Sequence, residues 1–212
     1  MSDPFSQLIP EARAFLTDLS QNNSRDWFND NKPRYEAQLK KPALHLLDQI
    51  AAQVGGGVTT KLFRPQRDVR FSKDKTPYNT HLHMLWMMPG KGTRPALFFG
   101  IGLDYVSVGG GIMGFDKTTL TDWRSSVDGP TGSELAGVIN ALVAQGFRLS
   151  EPELNRVPTP YDKEHPHGDL LRRKSLTLWN DLPDTRFDAP TDAITETLNN
   201  LRPLFDVLNR AV

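Results

Sequence analysis

The sequence contains no cysteine. Disulfides, thiol catalysis and thiolate metal sites are excluded together, and the absence fits a reducing compartment. Net charge is also lacking: 25 Lys and Arg balance 25 Asp and Glu. General nucleic-acid affinity draws on a net basic field or face, so the totals disfavour it. No apolar run reaches the roughly 18 residues that a spanning helix needs. The opening MSDPFSQLIP has neither the basic n-region nor the apolar core of a secretory signal. The expected compartment is therefore the cytoplasm, with no membrane partner. No internal repeat, low-complexity tract or linker-like stretch interrupts the chain.

What is present reads as a folded soluble protein. The 212 residues, 38% hydrophobic and 24% charged, suffice for one substantial domain, 1–212. The charge is unevenly placed. Residues 61–75 carry Lys61, Arg64, Arg67, Arg70, Lys73 and Lys75 against Asp68 and Asp74, whereas residues 181–212 are acidic.

Helices bracket the chain. Phe5, Leu8, Ile9, Ala12, Phe15, Leu16 and Leu19 fall on one helical stripe. Ser24 is the expected N-cap of a second helical run, which Pro33 and Pro42 should kink or divide. Ala43, Leu46, Leu47, Ile50 and Val54 carry that stripe to Gly55. The middle is strand-like: KLFRPQRDVRF, NTHLHMLWMM, PALFFGIGL and DYVSVGGGIM are short, rich in aromatic and branched residues, and separated by turn residues. They follow one another without helices, which argues for an antiparallel meander rather than βαβ units. TLTDWRSSV and SELAGVINALVAQ read as helices, FRLS and SLTLWND as added edge strands, and Ile194 to Leu208 as a last amphipathic helix with a kink at Pro203. The expected fold is α+β, an antiparallel sheet with the N- and C-terminal helices packed against it.

Chemistry concentrates in RDVRFSKDKTPYNTHLH, residues 67–83. Alternation along a strand puts Phe63, Arg67, Val69 and Phe71 on one face and Arg64, Gln66, Asp68 and Arg70 on the other. In the next run Leu82, Met84, Trp86 and Met88 oppose His81 and His83. If the two runs form a hairpin around SKDKTPYN, then Arg64, Asp68, Arg70, His81 and His83 converge, with Lys73 and Lys75 at the rim. Arginine forks bind phosphate or carboxylate with paired hydrogen bonds. Asp68 can orient or abstract a proton, and histidine exchanges one near neutral pH. The plainer reading is that Asp68 pairs with Arg70 and that Lys73, Asp74 and Lys75 form a solvated turn. Trp27 and Phe28 read as core aromatics. Gly109, Gly110 and Gly111 match neither phosphate-loop spacing and read as a bulged strand or tight turn.

FRPQRDVRFSKDKTPYNTH, FLTDLSQNNSRDWFNDNKPRYE, VGGGIMGFD, YDKEHPHGDLLRRKSL and LRPLFDVLNRA resemble successive motifs of the DUF2461 family, a largely bacterial set of proteins of unknown function. The resemblance spans nearly the whole chain. The matched positions include Asn22, Asn23, Ser72, Tyr78, Tyr161, His165 and Lys174 beside the charged cluster; Pro33 and His83 depart from the pattern. It brings no catalytic role with it. The pairs His81/His83 and His165/His167 have a spacing that suits a divalent metal with Asp68, Asp162 or Glu164. Because His83 and His167 lie outside the family pattern, no metal and no cofactor is expected.

Three readings result. The first is a small-anion site for a phosphate ester or carboxylate. Arg64, Arg67, Arg70, Ser72, Lys73, Lys75, Tyr78 and Lys174 would bind, and Asp68, His81 and His165 would move protons if the protein is an enzyme. The second is a nucleic-acid or acidic-partner module. The third is an interaction protein whose charges form a structural network.

Overall fold

The computed structural model describes residues 3–90 and 92–212. The expected α+β architecture is what the chain adopts. Helices α1 (Leu8–Gln21), α2 (Arg25–Arg34) and α3 (Lys41–Val54) precede strands β1 (Thr59–Leu62), β2 (Leu82–Met87), β3 (Ala96–Ile101) and β4 (Val106–Ile112). Then come α4 (Lys117–Asp128), α5 (Pro130–Ala144), β5 (Arg148–Leu149), α6 (Gly168–Leu171), β6 (Leu176–Asp181) and α7 (Pro190–Ala211). The strands form one antiparallel sheet in the order β1-β2-β3-β4-β6-β5.

The chain gathers into two compact units. One holds the chain up to Trp86, Phe98–Val108 and Asp181–Thr195; the other holds Met87–Leu97, Gly109–Asn180 and Glu196–Val212.

In the first unit α1 buries Leu8, Ile9, Ala12, Phe15, Leu16 and Leu19, the stripe read from the sequence. Ser24 caps α2 by accepting the Trp27 N–H, and Phe28 is buried while Trp27 is half-buried against Phe15. The expected division of the second helical run is a π-helical segment, Tyr35–Lys40, between Pro33 and Pro42. The Lys41 N–H reaches back five residues to the Glu36 carbonyl, and Pro42 follows at the first turn of α3, where its missing donor costs nothing. Gly55, at φ 109°, ends α3, a backbone angle that glycine adopts without penalty. The Trp86 indole donates to the Leu47 carbonyl at 2.9 Å, fixing α3 to β2 and satisfying a buried donor.

In the second unit the glycines of β4 serve close packing. A Cβ on Gly110 would lie 2.6 Å from Phe205 of α7, and one on Gly111, at φ +134°, would lie 1.9 Å from the Leu176 carbonyl oxygen. The triplet, expected as a bulged strand or tight turn, lies within β4, and its glycines have a packing cause: the α7 side chains and the β6 backbone approach closer than a side chain permits. β5 lies at the sheet edge, pairing Arg148 with Trp179 and Leu149 with Leu178. β6, also expected at an edge, is interior between β4 and β5. The first three residues of β6, Leu176, Thr177 and Leu178, are buried, as an inner strand requires. Helix α7 continues through Pro203 with Leu198, Leu201, Leu204, Phe205 and Leu208 buried.

Candidate functional site

The expected hairpin forms only at its base. β1 stops at Leu62, the Phe63 N–H donates to the His83 carbonyl at 2.9 Å, and a single antiparallel bridge joins Gln66 to Tyr78. Pro65 and Pro77 lack the N–H that would extend the ladder. Residues 67–77 are therefore a loop, and the predicted alternation of faces does not reach Phe71, whose ring is 98% exposed.

The loop is ordered from within by Arg67. Its guanidinium donates to Asp74 Oδ2 at 2.5 Å, to the Thr76 carbonyl at 3.2 Å, to the Thr76 hydroxyl and to the Ser72 hydroxyl at 3.5 Å. Asp74 also accepts the Thr76 N–H at 2.9 Å. The Thr76 N–H and hydroxyl and the Arg67 guanidinium together hold the Asp74 carboxyl down at about 2. Lys75 Nζ donates to the Val69 carbonyl at 3.0 Å. Asp68 and Arg70 pair with each other through contacts of 2.9 Å at Nε and 2.6 Å at Nη2. That bond lowers the Asp68 carboxyl and weakens it as a base.

Most of the predicted cluster is thus already engaged. Arg67, Ser72 and Lys75 hold the loop together, and Asp68 and Arg70 neutralise one another in solvent. Arg64 and Lys73 are exposed. Tyr78, expected as a ligand contact, is a core residue at 7% exposure. Its ring stacks on Phe28 at 4.1 Å, and Asn23 takes its N–H at 3.1 Å while donating to its carbonyl at 2.9 Å.

His81 and His83 stack with ring centroids 3.8 Å apart and planes 16° from parallel. His83 Nε2 meets the Tyr105 hydroxyl at 2.6 Å. Burial lowers both imidazoles, and His81 pushes His83 further, to about 4. His81 borders a cavity of only about 10 Å³ beside Phe15, Tyr35 and Leu39, roughly one water's worth of space.

The predicted proton-moving residues fall in both units: Asp68 and His81 in the first, His165 in the second. His165 Nδ1 accepts the His167 N–H at 3.0 Å, and Nε2 lies 3.2 Å from Asp128 Oδ1. The first contact puts the ring proton on Nε2, where it donates to Asp128. Both ring nitrogens are therefore in use. His167 Nε2 lies 3.1 Å from the Ser133 hydroxyl. Among the described residues no group of three or more His, Asp or Glu side chains is arranged to hold a metal ion.

The sequence reasoning missed a groove around the later motif. A cavity of about 560 Å³ is lined by Asn155, Arg156, Lys163, His165, Asp169 and Arg172, with Val157 and Pro166 as its apolar part. Its walls are irregular backbone tied at several points. The buried Trp123 indole donates to the Leu170 carbonyl at 3.0 Å. Buried Arg173 donates to the Ser150 carbonyl and, at 2.8 Å, to Asp169 Oδ2. Glu153 accepts the Lys174 N–H at 2.7 Å and the Ser175 hydroxyl at 2.5 Å. Arg172 Nη2 donates to Asp169 Oδ1 at 2.7 Å. Arg156 and Lys163 have no acidic partner among the described residues. Lys174, placed with the binding residues by sequence, is exposed and does not line the groove. The signal that could have revealed this site was the density of cations between Arg156 and Arg173 in a stretch without strand or helix periodicity.

No curated protein matches the chain. The family model described as "Conserved hypothetical protein (DUF2461)" matches residues 11–207, from α1 to the last turn of α7 and across both the charged loop and the groove. The chain belongs to the DUF2461 family.

Proposed function

We propose that the protein binds a small anionic ligand, a phosphate ester or a carboxylate, in the groove of residues 155–172. The observation that carries this reading is the presence of two uncommitted cations, Arg156 and Lys163, on one groove of about 560 Å³. That volume lies within the range of small-molecule sites. An arginine and a lysine offer an anion complementary contacts, a planar fork and a point charge. Arg172 lines the same groove with its charge balanced by Asp169, and Asn155 adds an amide for a polar substituent. Val157 and Pro166 supply the apolar surface on which a carbon skeleton rests. The loop of residues 67–77 supports the reading less well, because its arginines already have carboxylate partners.

Thermal-shift measurements with inorganic phosphate, sugar phosphates, nucleoside phosphates and dicarboxylates test the proposal, because a ligand that binds only the native state raises the melting temperature. One of these classes should raise it, and the double substitution Arg156→Ala/Lys163→Ala should abolish the shift with the unliganded melting temperature unchanged. A flat response to the whole panel, or a shift that survives the double substitution, overturns it.

A further inference from the structure

Phe71 is a large apolar side chain at 98% exposure, and it stands in the most cationic stretch of the chain. Arg64, Arg70, Lys73 and Lys75 surround it in sequence and are all exposed. The two acids of the loop are neutralised by its own arginines, Asp68 by Arg70 and Asp74 by Arg67. The loop backbone is fixed by the bonds of Arg67 and by Lys75 Nζ on the Val69 carbonyl, and its base is anchored by the clasp of Asn23 on Tyr78. Water would otherwise be excluded from such a ring, yet nothing in the first unit covers it.

We infer that Phe71 and its cationic collar form a docking tip for an anionic lipid bilayer surface. An apolar side chain in a stretch where exposed Arg64, Lys73 and Lys75 exceed the acids matches the two layers of such a surface, acyl chains below and anionic headgroups above. Stacking of a nucleic-acid base needs an aromatic face held in one plane beside a groove that tracks the backbone. The Phe71 ring touches too little to be held in any plane. Insertion into hydrocarbon requires only that the ring be buried, whatever its orientation. No described helix is long and apolar enough to cross a membrane; a surface contact needs none, and the inference departs from the expectation of no membrane partner. One ring and a few charges give weak, reversible attachment.

Co-sedimentation of the full chain with phosphatidylglycerol vesicles, compared with phosphatidylcholine vesicles, tests the inference. The protein should bind the first and not the second, and added salt should weaken it. Phe71→Ser should reduce binding by about tenfold or more, and Lys73→Glu/Lys75→Glu by about 30-fold or more. Phe71→Trp should retain binding and show a blue-shifted emission on the anionic vesicles. Because Phe71 is 98% exposed, circular dichroism and melting temperature should be the same in both Phe71 variants. Equal binding to both vesicle types, no binding to either, or binding indifferent to Phe71→Ser overturns the inference. So does a Phe71-dependent affinity for single-stranded oligonucleotides in place of vesicles.

Discussion

His81 and His83 stand two residues apart with their rings stacked at 3.8 Å, and burial keeps both of them uncharged more strongly than solvent would. The unfolded chain takes up protons on these rings at the ordinary histidine value of about 6.5, whereas folded His83 resists until about 4. Between those values the unfolded state binds more protons, so stability falls as the pH falls through that window. The contribution is fully present above 6.5. Melting temperature measured from pH 7.5 to 4 should drop, and His83→Phe should flatten the profile. An identical profile in the variant would refute the assignment.

The Asn23 amide holds the backbone of Tyr78 through both its donor and its acceptor. Asn23→Ala should cost about 1–3 kcal/mol, since two partly buried hydrogen bonds go and the backbone groups are left short of partners. Urea unfolding measures this. Asn23→Asp keeps the acceptor and loses the donor, and should fall between the two.

Arg67→Ala should act locally. Four contacts within residues 67–77 depend on its guanidinium, but the core does not. Amide exchange in that loop should accelerate several-fold while exchange in β2 and β3 stays unchanged, as local opening is distinct from global unfolding. Accelerated exchange throughout the first unit would contradict the loop's independence.

Gly111→Ala should be severely destabilising, by more than about 3 kcal/mol, because its Cβ would meet the Leu176 carbonyl on a backbone angle that alanine avoids. Gly114→Ala is the control: nothing lies within 4 Å of its Cβ. Chemical denaturation of the two variants should separate them clearly.

The helices were legible because their signals are local. The stripe from Leu8 to Leu19, the cap at Ser24 and the stop at Gly55 each lie within a few residues of what they determine. The charged loop was legible only as a concentration of chemistry. Strand alternation was extended past Pro65 to Phe71, whereas the backbone there is set by Arg67 reaching nine residues along the chain to Thr76. The groove was out of reach for a similar reason. Arg156, Lys163 and Arg172 come together because Arg173, Glu153 and Trp123 tie down a segment with no periodicity, and such ties between distant residues leave no pattern in the sequence. Tyr78 shows the reverse error: a polar handle in a charged stretch suggested a ligand contact, while its ring lies against Phe28.

The placement of β6 has a consequence for how the molecule is assembled. β5 is made before β6 but pairs only through it, and β4 must wait for the same strand across α4, α5 and the whole groove segment. Closing so long a loop is entropically slow. A nascent chain halted before Leu176 would carry an unpaired β4 edge, open to a second copy. Emergence of β6 therefore covers the β4 edge and supplies the partner of β5 in one event, so the sheet stays open on that side until the chain is made as far as Asp181.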